Sequence, residues 1–253
     1  GYGGAGPWRG KPGQDLLVQA LSGMTWLSGN REDGPVPVGF SVLDITAGNH
    51  LTQGILAALV RRGVTGRGGL VEVSLLASAL DLQFEQITAF ANAASAQPQR
   101  SAVANASVHG AAPYGIFATK DGHLALAMMP IAKLADLIQA PALAPYLDPA
   151  VAFSQRDEIK AILSDHLATR TSREWLAVLE PADVWCAEVL DWPALMAHPG
   201  LAAIDPMQTI PSGGSAMTTT RCPIRMDGSA APAGRGAPRL GEHTDAIRRE
   251  LDR

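Results

Sequence analysis

The stretch from residue 36 to residue 62 limits the fold of this chain more than any other. A short apolar run at 36–43 follows Gly34 and Pro35 and reads as a buried strand. From residue 46 to 62, Leu51, Ile55, Leu56 and Leu59 then recur at helical spacing. Asp44 falls between the two, at the C-terminal end of the expected strand and the N-terminus of the expected helix. Open α/β sheets collect ligands at that edge, and the positive end of the helix dipole favours an ionised carboxylate there. A carboxylate so placed has two readings. It can cap the helix by accepting the backbone N–H of Thr46 or Ala47, or it can act as a nucleophile. Position alone favours the cap.

With 253 residues, 47% of them hydrophobic, the chain can bury a large core as one big domain or two small ones. The net charge of −4 is modest, and Arg61-Arg62 and Arg248-Arg249 are isolated pairs suited to solvated helix ends, so no nucleic-acid partner is expected. Cys186 and Cys222 match no metal or redox spacing, which points to reduced thiols in a cytosol-like compartment. No apolar run approaches the ~18 residues that span a bilayer, and no basic-plus-apolar leader is present. The expectation is a cytoplasmic protein with no membrane partner. There is no initiator Met, and residues 1–8 read as the end of a strand passing into a loop, so upstream sequence is expected.

Further along, residues 14–27 read as a helix after Pro12-Gly13. The turn Thr65-Gly66-Arg67-Gly68-Gly69 leads into an alternating run at 70–75 that suits a strand, and a second long helix is expected at about 76–91. Strands and helices in this order make an α/β layout. Residues 92–112 are poor in large apolar side chains and read as a linker. Two alternating segments within 112–127, joined by Asp121-Gly122, carry a hairpin signature. Helices near 131–137, 156–168 and 172–179 would complete a small α+β unit. From Pro206 the chain reads as irregular, with a loop at Gly213-Gly214, until a short charged helix at the end.

Several constellations exclude chemistry. The turn at 65–69 lacks the Lys-Ser/Thr ending of a phosphate-binding loop and precedes a strand where such a loop would open a helix. The six histidines are scattered, with none of the spacings of metal ligands, so no metal is expected. No serine sits in a Gly-x-Ser-x-Gly elbow. Trp175, Trp185 and Trp192 have apolar neighbours and read as core or interface.

Taken together, Gly1-Tyr2-Gly3 with Gly6-Pro7, the run from Pro12 through Gln14-Asp15 to Ser22-Gly23, Asp44 with its helix, Thr65-Gly66-Arg67-Gly68-Gly69, Pro113-Tyr114-Gly115-Ile116-Phe117, Lys120-Asp121-Gly122, His198-Pro199 and Leu240-Gly241-Glu242-His243-Thr244 share the order and spacing of one family. The chain resembles the class III CoA-transferases of the CaiB/BaiF type over nearly its whole length. The resemblance implies an α/β fold: a Rossmann-like large domain whose N-terminal half is missing, with an inserted smaller α+β domain. In that layout residues 1–92 belong to the large domain, 93–104 to a linker, 105–199 to the small domain and 200–253 to a return to the large one.

The resemblance makes Asp44 the catalytic nucleophile, which sets aside the capping reading without excluding it as a second role. It implies acyl-CoA and a free carboxylic acid as substrates, with coenzyme A carried as substrate and no further cofactor. Lys11 and Arg9 lie where the family contacts CoA, with solvated surface charge as the competing reading. Gln14 stands where some transferases have Tyr and where the related α-methylacyl-CoA racemases have His. An amide takes up no proton near neutral pH, so racemisation, the enzymatic alternative, is disfavoured. The family's glycine-rich shielding loop corresponds to residues 107–112, in which Gly110 is the only glycine and His109 could orient a carboxylate. The family's interlocked homodimer, or a heteromeric partner supplying the N-terminal half, is the expected assembly, and a non-catalytic or incomplete subunit is the remaining alternative.

Overall fold

The computed structural model describes residues 1–93, 97–212, 214–231, 234 and 236–252. Part of the expected linker and of the Gly213-Gly214 loop lies outside the described residues. The chain forms two compact units, Gly1–Val189 and Leu190–Arg253.

The first unit begins with helix α1 (Asp15–Leu21), shorter than the sequence suggests because Gly23 turns left-handed at φ 81° and a single 3-10 turn, Met24–Trp26, follows. Helix α2 (Val42–Thr65) is 24 residues long and stops where Gly66 adopts φ 71° and donates its N–H to Arg62. The turn at 65–69 is therefore a helix C-cap. The long helix expected after it is two helices, α3 (Leu75–Leu82) and α4 (Phe84–Asn92), broken at Gln83, whose side-chain amide donates to Ala79 O at 2.9 Å.

Two expected strands do not form. Residues 36–41 are not in a ladder, and Val42 and Leu43 already belong to the first turn of α2. The backbone there is satisfied differently: Val36 N–H donates to Thr25 O at 2.8 Å and Val38 N–H to the Gln19 side chain at 2.9 Å. The run at 70–74 is likewise outside any ladder among the described residues. No parallel Rossmann-like sheet exists among the described residues. What α1, α2 and α3 share is a small core of Val18, Met24, Leu43 and Ala79, with Tyr2, Val38 and Leu76 against it.

The hairpin is present. Strands β1 (Gly115–Ala118) and β2 (His123–Leu126) pair antiparallel with Ala118 opposite His123. Helices α5 (Ile131–Ile138), α6 (Val151–Ser154), α7 (Arg156–Leu167) and α8 (Ser172–Leu179) follow, and strand β3 (Cys186–Glu188) closes the sheet in the order β1-β2-β3. Phe117, Leu124 and Leu126 face the helices and pack with Leu134, Leu163 and Trp175 in the main core. Trp175 is fully buried and satisfies its indole N–H on Leu167 O at 2.8 Å. Trp185 and Trp192, by contrast, are exposed. A capping box of Thr171 and Glu174 starts α8.

Arginine and lysine side chains tie these parts together. Arg100 donates to the carbonyls of Ser28 (2.7 Å), Gly34 (3.0 Å), Arg31 and Asp33, and stacks over Trp26. From α7, Arg156 reaches Val108 O and Gln99 O, Asp157 accepts from Ala102 N–H, and Lys160 reaches Ser101 and Ala104. The segment around residues 99–108 is thus held largely by polar contacts, with Val108 buried and Ala104 packed on the main core.

In the second unit, helices α9 (Trp192–Ala197) and α10 (Pro199–Ile204) are followed by the antiparallel pair β4 (Met207–Ser212) and β5 (Ser215–Thr220), the short pair β6 (Arg225–Met226) and β7 (Ser229–Ala230), and helix α11 (Thr244–Leu251). The region expected to be irregular therefore contains a regular hairpin. Alternation was hidden there by Thr, Ser and Pro at strand positions.

Candidate active site

Asp44 sits in the first turn of α2, at the third helical position, with its side chain exposed. It does not cap the helix. Neither Thr46 nor Ala47 donates to it, and among the described residues no hydrogen bond reaches its carboxylate. The capping acceptor comes from α1 instead: one oxygen of Asp15 accepts from Leu43 N–H at 2.7 Å and from Asp44 N–H at 3.2 Å. The other oxygen accepts from the Gln19 amide at 2.5 Å, and Gln19 in turn accepts from Val38 N–H at 2.9 Å. Leu43, next to Asp44, is fully buried. The nucleophile candidate is therefore clamped on the polar side by Asp15 and on the apolar side by its neighbour.

Gln14 immediately precedes Asp15, whose carboxylate holds the Asp44 amide, and flanks the start of α1 in extended conformation. Arg9 and Lys11 lie in the preceding loop, which is built by turn bonds from Arg9 N–H to Gly6 O and from Lys11 N–H to Trp8 O, at 3.2 and 3.0 Å. Both are exposed, and neither forms an ion pair among the described residues. The loop packs so closely on the chain's first residue that a Cβ on Gly13 would stand 2.5 Å from the Gly1 Cα. Only glycine fits at Gly13.

His109 is elsewhere. With Arg31, Phe90, Phe153 and Asp157 it lines a cavity of about 470 Å³ that Asp44 does not line. Gly110, behind it, is buried against Tyr114 and Ser107. The charges of this cavity are already paired, as Asp157 bonds Arg31 and the Arg156 guanidinium lies 4.7 Å over the Phe153 ring. Burial pushes the Asp157 carboxyl up, but the Ala102 N–H, Arg31 and Arg156 outweigh it and hold it below the usual range.

Sequence reading missed Asp15 and Gln19. The signal was two polar residues four apart on the face of α1 that also carries Val18, with Leu16, Leu17 and Leu21 turned outward. It also missed a polar bridge between α2 and α3: His50 Nδ1 lies 2.9 Å from Ser78 Oγ, and its Nε2 lies 3.1 Å from Asp81. Ser78 is almost wholly buried, so this Ser-His-Asp array joins two helices and offers no accessible nucleophile. No group of residues able to hold a metal ion occurs among the described residues, and none of the described helices is long and apolar enough to cross a membrane.

An exposed carboxylate with no hydrogen bond among the described residues, at the start of a helix, is a group that could serve as a nucleophile. The profile of CoA-transferase family III matches residues 1–244, and the chain belongs to that family. It is 30% identical over 96% of its length to a "probable fatty acyl-CoA transferase" of Mycobacterium tuberculosis, covering 64% of that protein. It is 30% identical over 99% of its length to an acetyl-CoA:oxalate CoA-transferase of Acetobacter aceti, again covering 64%. Its mixed α/β fold matches the crystal structure of a CaiB/BaiF family protein from Brucella suis with a TM-score of 0.78 and 25% identity, over all of this chain and 66% of that one. These relatives are class III CoA-transferases, and the chain spans 56–64% of the length of three curated proteins it matches.

Proposed function

We propose that this chain carries the nucleophile of an enzyme that moves CoA from an acyl-CoA donor to a free carboxylic acid, and that Asp44 is that nucleophile. The observation that supports this most is the start of α2, where the Asp44 amide is held by Asp15 while the carboxylate stays exposed and without a hydrogen bond among the described residues. The Asp44 oxygen attacks the thioester carbonyl, the C–S bond breaks, and CoA thiolate leaves an acyl-aspartyl anhydride. The thiolate attacks the aspartyl carbonyl, freeing the donor acid and leaving an aspartyl-CoA thioester. The incoming carboxylate attacks that thioester, expelling the thiolate and forming a second anhydride. Attack of the thiolate on the acyl carbonyl of that anhydride gives the new acyl-CoA and restores Asp44. No net proton is transferred, so the rate rests on positioning and exclusion of water.

Gln14 is proposed to contact the acyl group, and Arg9 and Lys11 the CoA phosphates, supported by their exposure on the loop that leads into α1. His109 and Gly110 are assigned no chemical step, because His109 lines a cavity that Asp44 does not and Gly110 is buried against Tyr114 and Ser107. The acceptor is proposed to be a free carboxylic acid, and the setting cytoplasmic, which two free thiols support.

A second observation favours assembly. Leu43 is the one described residue of α2 that is buried, while Ile45, Ile55, Leu56, Val60 and Val64 are exposed. The unpaired run at 70–74 follows α2 and precedes α3, the strand-then-helix order of a Rossmann-like domain. We propose that a second copy or a partner chain completes that domain. Separation of acyl-CoA products after incubation with a panel of donors and acids tests the activity: new acyl-CoA species lost in Asp44→Ala support it, and unchanged transfer in that variant removes Asp44 from the mechanism.

A further inference from the structure

The first N–H groups of a helix have no acceptor within it, and whatever takes them fixes where the helix begins. In α2, Ser41 makes no side-chain cap, Val42 N–H turns back to Phe40 O at 2.8 Å and Ile45 N–H reaches Ser41 O at 3.2 Å. The two amides between them, those of Leu43 and Asp44, are left to Asp15. Asp15 belongs to another helix and is only 9% exposed. Behind it the polarity is set throughout: Val38 N–H donates to Gln19, Gln19 donates to Asp15, and Asp15 accepts from the helix start. A carboxylate receiving three N–H donors is a strong, charge-assisted anchor. Its partners belong to α1 and to the first turn of α2, and through Gln19 the network extends to Val38 in the stretch before α2.

We propose that Asp15, backed by Gln19, is the positioning residue of the nucleophile. An aspartate in a first helical turn competes for its own helix's free N–H groups, and a carboxylate engaged in that way turns its lone pairs from the substrate. Asp15 occupies those donors, fixes the Asp44 backbone, and leaves the Asp44 carboxylate unengaged. This role rests on the reading of Asp44 as nucleophile. It also explains why a buried acid and amide stand on the inner face of α1, where apolar side chains would otherwise fill the core.

Asp15→Asn, the pair Asp15→Asn/Gln19→Glu, and Asp44→Ala are compared in the intact protein by steady-state CoA transfer, with thermal unfolding followed in parallel. Asparagine keeps an acceptor for the helix amides but turns an NH₂ against the NH₂ of Gln19. Glutamate at position 19 repairs the polarity, since it accepts from both Asn and Val38 N–H. The expected result is a fall of about 10²-fold in kcat for Asp15→Asn, with KM shifted by no more than about threefold. Return of kcat to within about fivefold of the parent in the double variant is expected as well. A folded Asp15→Asn with parental kcat, beside an inactive Asp44→Ala, overturns the positioning role and leaves Asp44 as nucleophile. Full activity of Asp44→Ala removes the nucleophile reading and this inference with it. Should Asp15→Asn not fold, the double variant decides alone: near-parental kcat supports the relay, and a folded protein about 10²-fold slower sinks it.

Discussion

Lys160 is fully buried on α7, with its ammonium bonded to Ser101 Oγ at 3.0 Å and Ala104 O at 3.1 Å. Burial, reinforced by Arg156, pushes its pKa down to about 8 from 10.5, although Asp157 pulls the other way. Between those two values the unfolded chain binds more protons at this site than the folded protein does. Stability contributed by Lys160 therefore rises with pH through that window, with the burial penalty full below it and gone above it. Denaturant titrations at several pH values from 7.5 to 10.5 should show the parent gaining on Lys160→Met as pH rises. A difference between the two that stays constant with pH would contradict that assignment. At this scale the sequence singles out candidate residues and is silent on pairs. Asp44 stood out because a carboxylate among apolar residues is conspicuous, whereas its link to Asp15 runs across 29 positions and depends on how α1 packs. The capping expectation failed for the same reason, since local spacing cannot show that another helix already supplies the cap.

Among the elements, those with local hydrogen bonds were the readable ones. Helices α5, α7 and α8 and the β1-β2 hairpin lie at or near their expected places, because periodicity and turn chemistry act within a few residues. The runs at 36–43 and 70–75 look like strands by composition, but a strand exists only with a partner, and neither has one among the described residues. Helix α8 offers a clean check on local energetics: Thr171→Ala removes its capping box and should lower the unfolding free energy by about 1 kcal/mol, with CoA transfer unchanged. In the main core, Leu163→Ala should cost about 2–5 kcal/mol, because Leu163 is fully buried beside Trp175 and Phe117 and the cavity left there cannot close. Denaturant unfolding measures both changes, and a loss for Leu163→Ala no larger than that for Thr171→Ala would place the core elsewhere.

In the first unit taken whole, burial is uneven. Its large core belongs to the sheet and helices between Ala112 and Val184, while α1, α2 and α3 share only a small cluster and leave Leu16, Leu17, Ile55, Leu56 and Phe84 exposed. The proposed assembly would cover this exposed apolar area. The chain is therefore expected to sediment above its monomer mass and to bind a hydrophobic dye when alone; a dye-silent monomer at tens of micromolar would argue against a covering partner. The central claim, that Asp44 carries the acyl group and then CoA, is tested most directly by intact-mass and peptide-mapping analysis after incubation with acyl-CoA, with hydroxylamine added to trap an activated carboxyl. The account predicts a CoA or acyl adduct, or its hydroxamate, on the peptide that holds Asp44, and none in Asp44→Ala. Turnover with no label at Asp44, or a label that persists in the variant, would contradict it.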